Sequence, residues 1–492
     1  MATYPNIPRI TIAALKGGAG KTFVTIALAA ALRNRGMSPA LFKKGPDYID
    51  AGWLGSAAGG VCYNLDPYLF DTSTVRSSFL RRARDGNIAI VEGNRGLFDG
   101  VDSSGSYSTA ELAKVLDTPV LLVVDATKVT RTAAALVLGC KVLDPAVDLR
   151  GVILNRVAGA RHERVLRESI EAATGIPVIG AIKRLGRESF PQRHLGLLPL
   201  YEHPRAKEFI EEAAGVATES LDLARIISIA ESAGPMAWDD VSSPARSAAG
   251  PMFPGIRVGV LKDSAFQFYY PENLEALQAR GAELTEISAL TCATLPELDA
   301  LYIGGGFPET HAQQLADNVG FKESIRRAVA EGLPVYAECG GLMYLSKHLV
   351  IDEQSYPMVG VLPVSTALER TPQGHGYIRV EVGGRNPFYP HGTVLTGHEF
   401  HYSYVTGLEG EDISYAFRVL RGHGIDGEVD GICVKNVLAT YVHVHALGEP
   451  LWAEGLLRKA VEFRESRTAE CRDSRQLRTD ARQCRSGEEI CP

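Results

Sequence analysis

The chain has 492 residues, 45% of them hydrophobic and 22% charged, and carries a net charge of −7 with a pI near 6.0. This is ordinary globular composition for about two to four domains, and the scattered basic residues exclude a nucleic-acid partner. No apolar run reaches the roughly 18–20 residues of a membrane span, and the first residues lack the basic start and apolar core of a signal peptide. The cysteines include no CxxC pair for zinc. The sequence predicts a cytoplasmic protein without a membrane partner.

Residues 1–230 alternate short apolar runs with helical stretches. Continuous apolar runs of strand length are typical of strands buried on both faces of a parallel sheet. Their alternation with helices predicts a doubly wound α/β domain. The runs are RITIAAL (9–15), PALFKK (39–44), IAIVEG (88–93), PVLLVVDAT (119–127), GVILNRV (151–157) and IPVIGAI (176–182).

The composition then changes twice. Residues 231–255 are rich in Ala, Ser, Pro and Gly without a sustained period, which indicates an interdomain linker. A second α/β pattern, with buried strands that end in glycine turns, predicts another domain over 256–464. Residues 465–492 are charged and poor in apolar side chains, which predicts a disordered tail.

The segment KGGAGKT (16–22) directly follows the first predicted strand and opens the first long helix. Its glycines let backbone N–H groups wrap a triphosphate, and the helix N-terminus adds positive potential. In this context Lys21 is expected to reach the β- and γ-phosphates, and the Thr22 hydroxyl is expected to bind Mg²⁺. The predicted ATP-binding residues here are Lys16, Gly17, Gly18, Gly20, Lys21 and Thr22.

Lys16 gives the loop the deviant form of an ATPase branch that includes partition and septum-positioning proteins, nitrogenase iron protein and ATP-dependent ligases. In dimeric relatives the equivalent lysine crosses to a partner's nucleotide, so a homodimer is one prediction and a solvated loop charge is the other. A nucleotide-switched partition or septum-type ATPase is the alternative of a different class. That alternative leaves residues 256–460 unexplained.

Acidic residues follow several of the predicted strands. Asp47 and Asp50 come just after the second strand, Glu92 ends the run IAIVE, and Asp99 lies in NRGLFDG. Ligands bind at the carboxyl ends of strands in open α/β sheets, where a carboxylate can hold Mg²⁺. One loop aspartate commonly serves a turn, but several around one phosphate loop indicate a metal site. Asn155, in VILNRV, lies where this ATPase branch contacts adenine.

Cys339 stands between an apolar strand and a glycine pair in VYAECGGLMYL (335–345). A free cysteine is commonly a small buried hydrophobe. The pattern is also typical of a nucleophile on a tight strand-to-helix turn, where tiny neighbours let backbone N–H groups meet an oxyanion. A second glycine turn, IGGGFPET, could complete that oxyanion hole, so Gly305 and Gly340 are its candidates.

A nucleophilic cysteine needs a base that lies close in space, at any distance in the sequence. The run TYVHVHAL offers His443 and His445, which alternate with Val444 and would share one face of a strand. A lone histidine in such a run is commonly a core residue. Two histidines on one face, together with Cys339, favour a Cys–His site.

Nine motifs occur in the same order as in cobyrinate a,c-diamide synthases, and the chain resembles that family of glutamine-dependent amidoligases from about residue 8 to 460. The motifs are KGPDYID, NLD, EGNRGLFDG, RHLGLLP, FYYPENL, GGGFPE, YAECGGLMYL, GHEFHYS and TYVHVHA. The resemblance implies an N-terminal ATP-dependent ligase domain and a C-terminal class I glutamine amidotransferase-like domain.

The resemblance also assigns roles in the second domain. Cys339 matches the family's glutaminase nucleophile, and His443 matches its base. Class I relatives outside this branch usually carry a Glu two residues after the histidine, whereas this chain has His445, so a catalytic dyad is expected. An amidotransferase-like scaffold without glutaminase activity is the alternative, and the intact Cys339 and His443 argue against it.

In the family chemistry, the γ-phosphate of ATP activates a substrate carboxylate, and ammonia released from glutamine captures the acyl phosphate. Unprotonated ammonia implies an enclosed route between the two centres. The expected substrates are glutamine, ATP and a modified tetrapyrrole, amidated on its a and c acetate side chains. The resemblance carries catalytic roles to Asp47, Glu92 and Asp99, Mg²⁺ binding to Asp47 and Glu92, and substrate contacts to Tyr48 and Asp50.

The sequence departs from the family pattern in its cations. Family members usually lack a lysine at the position of Lys16, and they commonly show FKVGPDY where Lys44 gives FKKGPDY. Asn94 and Arg95 replace small or apolar residues. Lys44 and Arg95 could bind extra substrate carboxylates or be solvated loop charges. If they bind substrate carboxylates, the substrate is expected to be a more acidic tetrapyrrole, such as the sirohaem or nickel-sirohydrochlorin that sibling enzymes amidate. The identity of the tetrapyrrole therefore stays open.

Overall fold

The computed structural model describes residues 2–3, 6–185, 192–193, 196–238, 252–407 and 413–486. The chain divides into two compact units, Met1–Ser247 and Ala248–Pro492. The division falls within residues 231–255, the predicted linker, of which 239–251 lie outside the described residues.

The first unit is built on a seven-stranded sheet in which, among the described residues, every neighbouring pair runs parallel. Six strands follow the predicted apolar runs, and the seventh, Cys62–Leu65, is too short to stand out in the sequence. The strands are β1 Arg9–Ala14, β2 Pro39–Lys44, β3 Cys62–Leu65, β4 Ile88–Glu92, β5 Val120–Asp125, β6 Leu149–Val157 and β7 Val178–Lys183. Their order in space is β3-β2-β4-β1-β5-β6-β7.

Helices cover both faces of this sheet, because alternate strand residues point to opposite sides. Ile12 packs with α1, α2, α7 and α8, whereas its neighbour Ala13 packs with α4, α5 and α6. The helices are α1 Lys21–Asn34, α2 Ile49–Ala58, α3 Thr72–Ala83, α4 Thr109–Val115, α5 Thr132–Leu143, α6 Ala160–Thr174, α7 Ala206–Ser220 and α8 Leu223–Glu231. The predicted doubly wound domain is confirmed.

The second unit contains a ten-stranded sheet with a parallel and an antiparallel half. In space the order is β10-β8-β11-β13-β22-β21-β20-β17-β18-β23, and the strands from β10 to β22 are parallel. Smaller sheets pair β9 with β12 and join β15-β14-β16-β19. The strands are β8 Ile256–Leu261, β9 Phe266–Phe268, β10 Ala282–Ile287, β11 Ala300–Ile303, β12 Gly305–Gly306, β13 Val335–Glu338, β14 His348–Ile351, β15 Gln354–Pro357, β16 Ser365–Leu368, β17 Gly374–Val382, β18 Val394–His401, β19 Ser403–Thr406, β20 Ser414–Arg421, β21 Val429–Val434, β22 Val437–Thr440 and β23 His443–Val444.

The helices of the second unit are α9 Pro271–Ala279, α10 Ala312–Asp317, α11 Val319–Ala330, α12 Gly340–Leu345 and α13 Pro450–Ser486. Helix α13 corrects the prediction of a disordered tail over 465–492, since it continues to Ser486. No Gly or Pro interrupts the sequence between Gly455 and Gly487, and Arg, Gln, Glu and Ala are good helix formers. Residues 487–492 lie outside the described part. In the described part of the chain, no helix is both long and apolar enough to cross a membrane.

Two candidate active sites

The first site is the loop between β1 and α1. Gly20 has a φ of 95°, and a Cβ there would lie 2.2 Å from Nδ2 of Asn155, so only glycine fits. The same Nδ2 donates a hydrogen bond to the carbonyl of Ala19 at 2.9 Å. The side chain of Asn155, from β6, therefore packs against the loop and hydrogen-bonds to it. Its contact with adenine stays a prediction.

The loop forms one wall of a cavity of about 1140 Å³ at the carboxyl ends of the parallel strands. The structure brings most of the predicted nucleotide and metal residues to this cavity. They are Lys16, Gly17, Gly18, Gly20, Lys21, Thr22, Asp47, Asp50, Glu92, Arg95 and Asn155. The position agrees with the rule that ligands bind beyond the carboxyl ends of strands in open α/β sheets.

Cations and carboxylates meet on the floor of the cavity. The Thr22 hydroxyl donates to Glu92 Oε1 at 2.8 Å and lies 3.2 Å from Asp50 Oδ2. Nζ of Lys43 lies 3.0 Å from Glu92 Oε1 and 3.2 Å from Asp50 Oδ2. The Lys43 side chain is only 2% exposed, and the Glu92 side chain is fully buried. Lys21 Nζ donates to the carbonyl of Arg95 at 2.5 Å.

Burial and the close approach of these charged side chains shift their pKa values. Burial and the neighbouring charge of Lys43 lower the pKa of Lys21 to about 8. Burial opposes the charge on Lys43, but the carboxylates of Glu92, Asp50 and Asp47 outweigh it and raise the pKa of Lys43. Burial and the charge of Asp50 raise the pKa of Asp47 to about 7. The pKa values of these side chains are therefore set by burial together with the charges of their neighbours.

The donor set fits Mg²⁺. Hydroxyl and carboxylate oxygens are its preferred ligands, and it is usually bound by one or two carboxylates together with substrate phosphates. Oε2 of Glu92 is buried without a hydrogen-bond partner and so retains a coordination position. Among the described residues, no group of three or more acidic, histidine or cysteine side chains forms a complete metal site. A site that is completed by phosphate oxygens agrees with that finding.

Lys44 lies away from the cavity. It is 5% exposed, and burial lowers its pKa although the charge of Asp66 acts in the opposite direction. Consecutive residues of a strand point to opposite faces, so Lys43 lines the cavity and Lys44 is not among the described residues that line it. A contact between Lys44 and the substrate stays a prediction, whereas Lys43 has no signal in the sequence that marks it as a cavity residue.

The structure places three other predicted residues, Asp99, Tyr48 and Lys16, as follows. Oδ2 of Asp99 accepts the backbone N–H of Gly96 at 2.8 Å, as turn aspartates do, and Asp99 is not among the described residues that line the cavity. Tyr48 precedes helix α2 and is likewise absent from that lining. Nζ of Lys16 lies 3.6 Å from Asp125 Oδ2, and the Lys16 side chain is 68% exposed.

The second site is the turn between β13 and α12. Cys339 has a φ of 46° and a ψ of −98°, and its side chain is nearly buried. A Cβ on Gly340 would lie 3.0 Å from the Gly306 nitrogen, and one on Gly341 would lie 2.7 Å from the carbonyl oxygen of Ile303. The glycine pair is therefore required by close packing. Cys339 lies on the tight strand-to-helix turn that its sequence indicates.

The environment of Cys339 favours the neutral thiol. Burial, with the charge of Glu309, raises its pKa to about 12, although a backbone hydrogen bond from Gly340 acts in the opposite direction. A nucleophilic sulfur must lose its proton. The thiol consequently needs a neighbouring base to react at neutral pH.

His443 is the histidine that meets the elbow. A Cβ on Gly305 would lie 2.6 Å from His443 Cε1, and Gly305 precedes the Gly306 that packs against Gly340. Nδ1 of His443 lies 3.2 Å from Oε2 of Glu338. The expected Cys339–His443 dyad stays a prediction. The structure adds a buried carboxylate beside His443, that of Glu338, which immediately precedes Cys339 in the sequence.

His445 faces a different neighbour. Its Nε2 lies 3.6 Å from Glu272 Oε2, and its ring lies 4.4 Å from the ring of Tyr270. The regular strand ends at Val444, so the predicted common face does not extend to His445. The structure thus separates the two histidines that the sequence pattern grouped.

Models of two known protein families match this chain, one in each unit. Residues 10–194 match the CobQ/CobB/MinD/ParA nucleotide binding domain, and residues 257–451 match the CobB/CobQ-like glutamine amidotransferase domain. A nucleotide-binding unit joined to a glutamine amidotransferase unit defines a glutamine-hydrolysing amidoligase.

Relatives extend the match over almost the whole chain. The cobyrinate a,c-diamide synthase of Magnetococcus marinus is 44% identical over 92% of this chain and 97% of its own length. Enzymes of the same name from Archaeoglobus fulgidus and Dehalococcoides mccartyi are 40% and 38% identical, cover 93% of this chain, and are matched over 98% and 99% of their own lengths. The chain belongs to the cobyrinate a,c-diamide synthase family.

Proposed function

We propose that the chain uses ATP and glutamine to amidate the a and c acetate side chains of a cobyrinate-type tetrapyrrole. The observation that carries this proposal is the presence of two unlike centres in one chain: a phosphate loop whose Thr22 contacts the carboxylates of Glu92 and Asp50, and a cysteine elbow that packs against the glycine turn beside His443. The first suits phosphoryl transfer, and the second suits release of ammonia from glutamine. The acceptor follows from the names of the relatives.

At the cysteine centre, His443 takes the proton of the Cys339 thiol, and the sulfur bonds to the side-chain amide carbon of glutamine. The proton then passes to the leaving nitrogen as the C–N bond breaks, which releases ammonia and leaves a thioester. Water hydrolyses the thioester to glutamate. The backbone N–H groups of Gly340 and Gly305 are the candidates to stabilise the oxyanion.

At the phosphate loop, a carboxylate of the acceptor attacks the γ-phosphorus of ATP, ADP leaves, and ammonia displaces phosphate from the acyl phosphate. Lys21 and Lys43 supply positive charge where negative charge develops on the transferred group. Thr22, Asp50 and Glu92 would hold Mg²⁺, with Asp47 close by, and the ion would neutralise phosphate charge when bound. The buried Glu92 keeps these groups in place.

The two candidate acceptor rings differ in their number of carboxylates. Arg95 lines the cavity, has a φ of 48° and is exposed, so it could bind an additional acceptor carboxylate. This observation favours a sirohaem-type ring as the second candidate. Incubation of the enzyme with ATP, Mg²⁺ and glutamine, together with each candidate ring, tests the choice by a mass decrease of about one unit per amidated carboxylate.

The division of labour is tested with Cys339→Ala. Glutamine-supported amidation should be lost, while ammonia-supported amidation should persist, because acyl phosphate formation does not involve the thiol. Equal loss with both nitrogen sources, in a variant that unfolds at the wild-type temperature, would overturn the two-centre proposal. Retained glutamine hydrolysis would remove Cys339 from the nucleophile's role.

A further inference from the structure

A carboxylate fixes the tautomer of His443. Glu338 is the last residue of β13, and its buried Oε2 lies 3.2 Å from Nδ1 of His443. An ionised carboxylate can only accept a hydrogen bond, so the proton between them belongs to Nδ1. The lone pair of the ring then lies on Nε2. The contact selects the form of His443 that can act as a base toward a thiol.

Other donors hold the Glu338 carboxylate. The Tyr302 hydroxyl donates to Oε2 at 3.2 Å, and the backbone N–H of Val444 approaches Oε1 at 3.5 Å. Nδ2 of Asn273 lies 3.4 Å from the Tyr302 hydroxyl and donates to the carbonyl of Val444 at 2.9 Å, while Oδ1 of Asn273 accepts the N–H of Ala446 at 2.7 Å. This network ties the carboxylate to the segment that carries His443, so both partners are held by the same buried groups.

The other edge of the His443 ring faces Gly305, in the glycine turn that packs against the elbow. A Cβ on Gly305 would lie 2.6 Å from Cε1 and 3.4 Å from Nε2 of that ring. The following residue, Gly306, packs against Gly340, the neighbour of Cys339. The ring therefore has Glu338 at its Nδ1 edge, and at its Cε1–Nε2 edge it has Gly305, whose neighbour Gly306 packs against the elbow.

A second carboxylate–histidine pair lies on the same run of chain without reaching His443. Nε2 of His445 lies 3.6 Å from Oε2 of Glu272, which belongs to α9, and Nδ1 of His445 accepts the backbone N–H of Leu447 at 3.2 Å. Glu272 is as deeply buried as Glu338. The chain thus contains its own matched control: two buried glutamates beside histidines, of which one contacts the base.

We propose that Glu338 is the positioning carboxylate of the glutaminase centre. It holds His443 in the tautomer that accepts the Cys339 proton at Nε2, and its negative charge offsets the imidazolium that forms in that step. The proton moves from sulfur to Nε2 and on to the departing ammonia, and none passes to Glu338. The inference rests on the proposed roles of Cys339 and His443.

The test compares Glu338→Gln with Glu272→Gln in the full chain. Glutamine keeps the shape of the side chain but removes its charge, so E338Q should lower kcat for glutamine hydrolysis by ~10–100-fold, the range of one charge-assisted hydrogen bond. KM for glutamine should change by less than about threefold, because Glu338 acts through His443. The acidic limb of the pH–rate profile should move to lower pH, since an imidazolium forms less readily without a neighbouring negative charge. E272Q should retain the wild-type kcat and limb.

Several outcomes would overturn the inference. A wild-type kcat together with an unshifted acidic limb of the pH–rate profile in E338Q would overturn it. Equal changes in E338Q and E272Q would also overturn it. If E338Q does not fold, Glu338→Asp replaces it: this variant keeps the charge, so its limb should stay in the wild-type position while kcat falls, and a shifted limb would count against the role. Ammonia-supported amidation should be unchanged in each folded variant. Cys339→Ala distinguishes failure of this inference from failure of the proposal on which it rests, because glutamine hydrolysis in C339A would refute the proposed role of Cys339 and not that of Glu338 alone.

Discussion

The phosphate-loop centre gathers formal charges in a cavity, whereas the cysteine centre buries a thiol with a raised pKa beside glycine turns. Lys43 contacts the carboxylates of Glu92 and Asp50, so each charge at the first centre depends on its neighbours. Cys339 is instead held by backbone geometry, with a positive φ and no room for a Cβ on the residues that follow. The first centre should therefore be sensitive to removal of charge, and the second to changes of shape and proton affinity.

Removal of the phosphate-loop lysine should give the largest effect. Lys21→Ala should lower amidation with either glutamine or ammonia by ~100–1000-fold, because the transferred phosphoryl group loses a cation. Glutamine hydrolysis measured without an acceptor should change by less than about threefold. Amidation at the wild-type rate in K21A would show that the loop does not bind the reacting phosphates.

A second prediction uses the two adjacent lysines of β2. Lys43→Met leaves Glu92 and Asp50 without their buried cation, which should cost about 3 kcal/mol of stability in the metal-free protein. Mg²⁺ and ATP should restore part of the loss, because they supply positive charge at the same place. Thermal unfolding with and without Mg·ATP measures both effects. Lys44→Met, on the opposite face of the same strand, is the control and should show no Mg·ATP-dependent recovery. The same recovery in both variants would contradict the separation of the two lysines.

The third prediction concerns the proton on Cys339. Because the pKa of this thiol is raised to about 12, its thiolate fraction should increase tenfold per pH unit throughout the range below that value. Alkylation of Cys339 by iodoacetamide in the resting enzyme, followed by mass spectrometry of its peptide, should therefore rise ~100-fold from pH 7 to pH 9 without a plateau. A plateau near pH 7 would indicate a resting thiolate.

The smallest effect should come from Arg95. Arg95→Met should raise KM for a sirohaem-type acceptor by ~3–10-fold more than KM for cobyrinate, since an exposed cation contributes modestly to the binding of a carboxylate. Lys44→Val should leave this preference unchanged, because Lys44 does not line the cavity. An unchanged preference in R95M would remove the reason for considering the more acidic ring.

The parallel sheet and the phosphate loop were predictable, because buried strands and glycine loops leave local signals in the sequence. The tight strand-to-helix turn at Cys339 was predictable for the same reason, since Cys339, Gly340 and Gly341 are consecutive, and the role of Cys339 as a nucleophile stays a prediction. Lys43 and Glu338 were not found. Their roles arise from contacts between distant strands, as between Glu338 and His443, and no local pattern marks such a contact. The antiparallel strands of the second unit were also missed, because short partly exposed strands lack continuous apolar runs.

The buried thiol of Cys339 has a consequence for survival of the enzyme under oxidative stress. Peroxides attack the thiolate, and susceptible cysteines combine a low pKa with exposure to solvent. Cys339 has the reverse combination, since it is 5% exposed and its pKa is raised to about 12. The elbow on which we propose that sulfur meets glutamine thus also keeps the thiol buried and protonated, and hydrogen peroxide should inactivate the enzyme more slowly than it inactivates a cysteine enzyme with a resting thiolate.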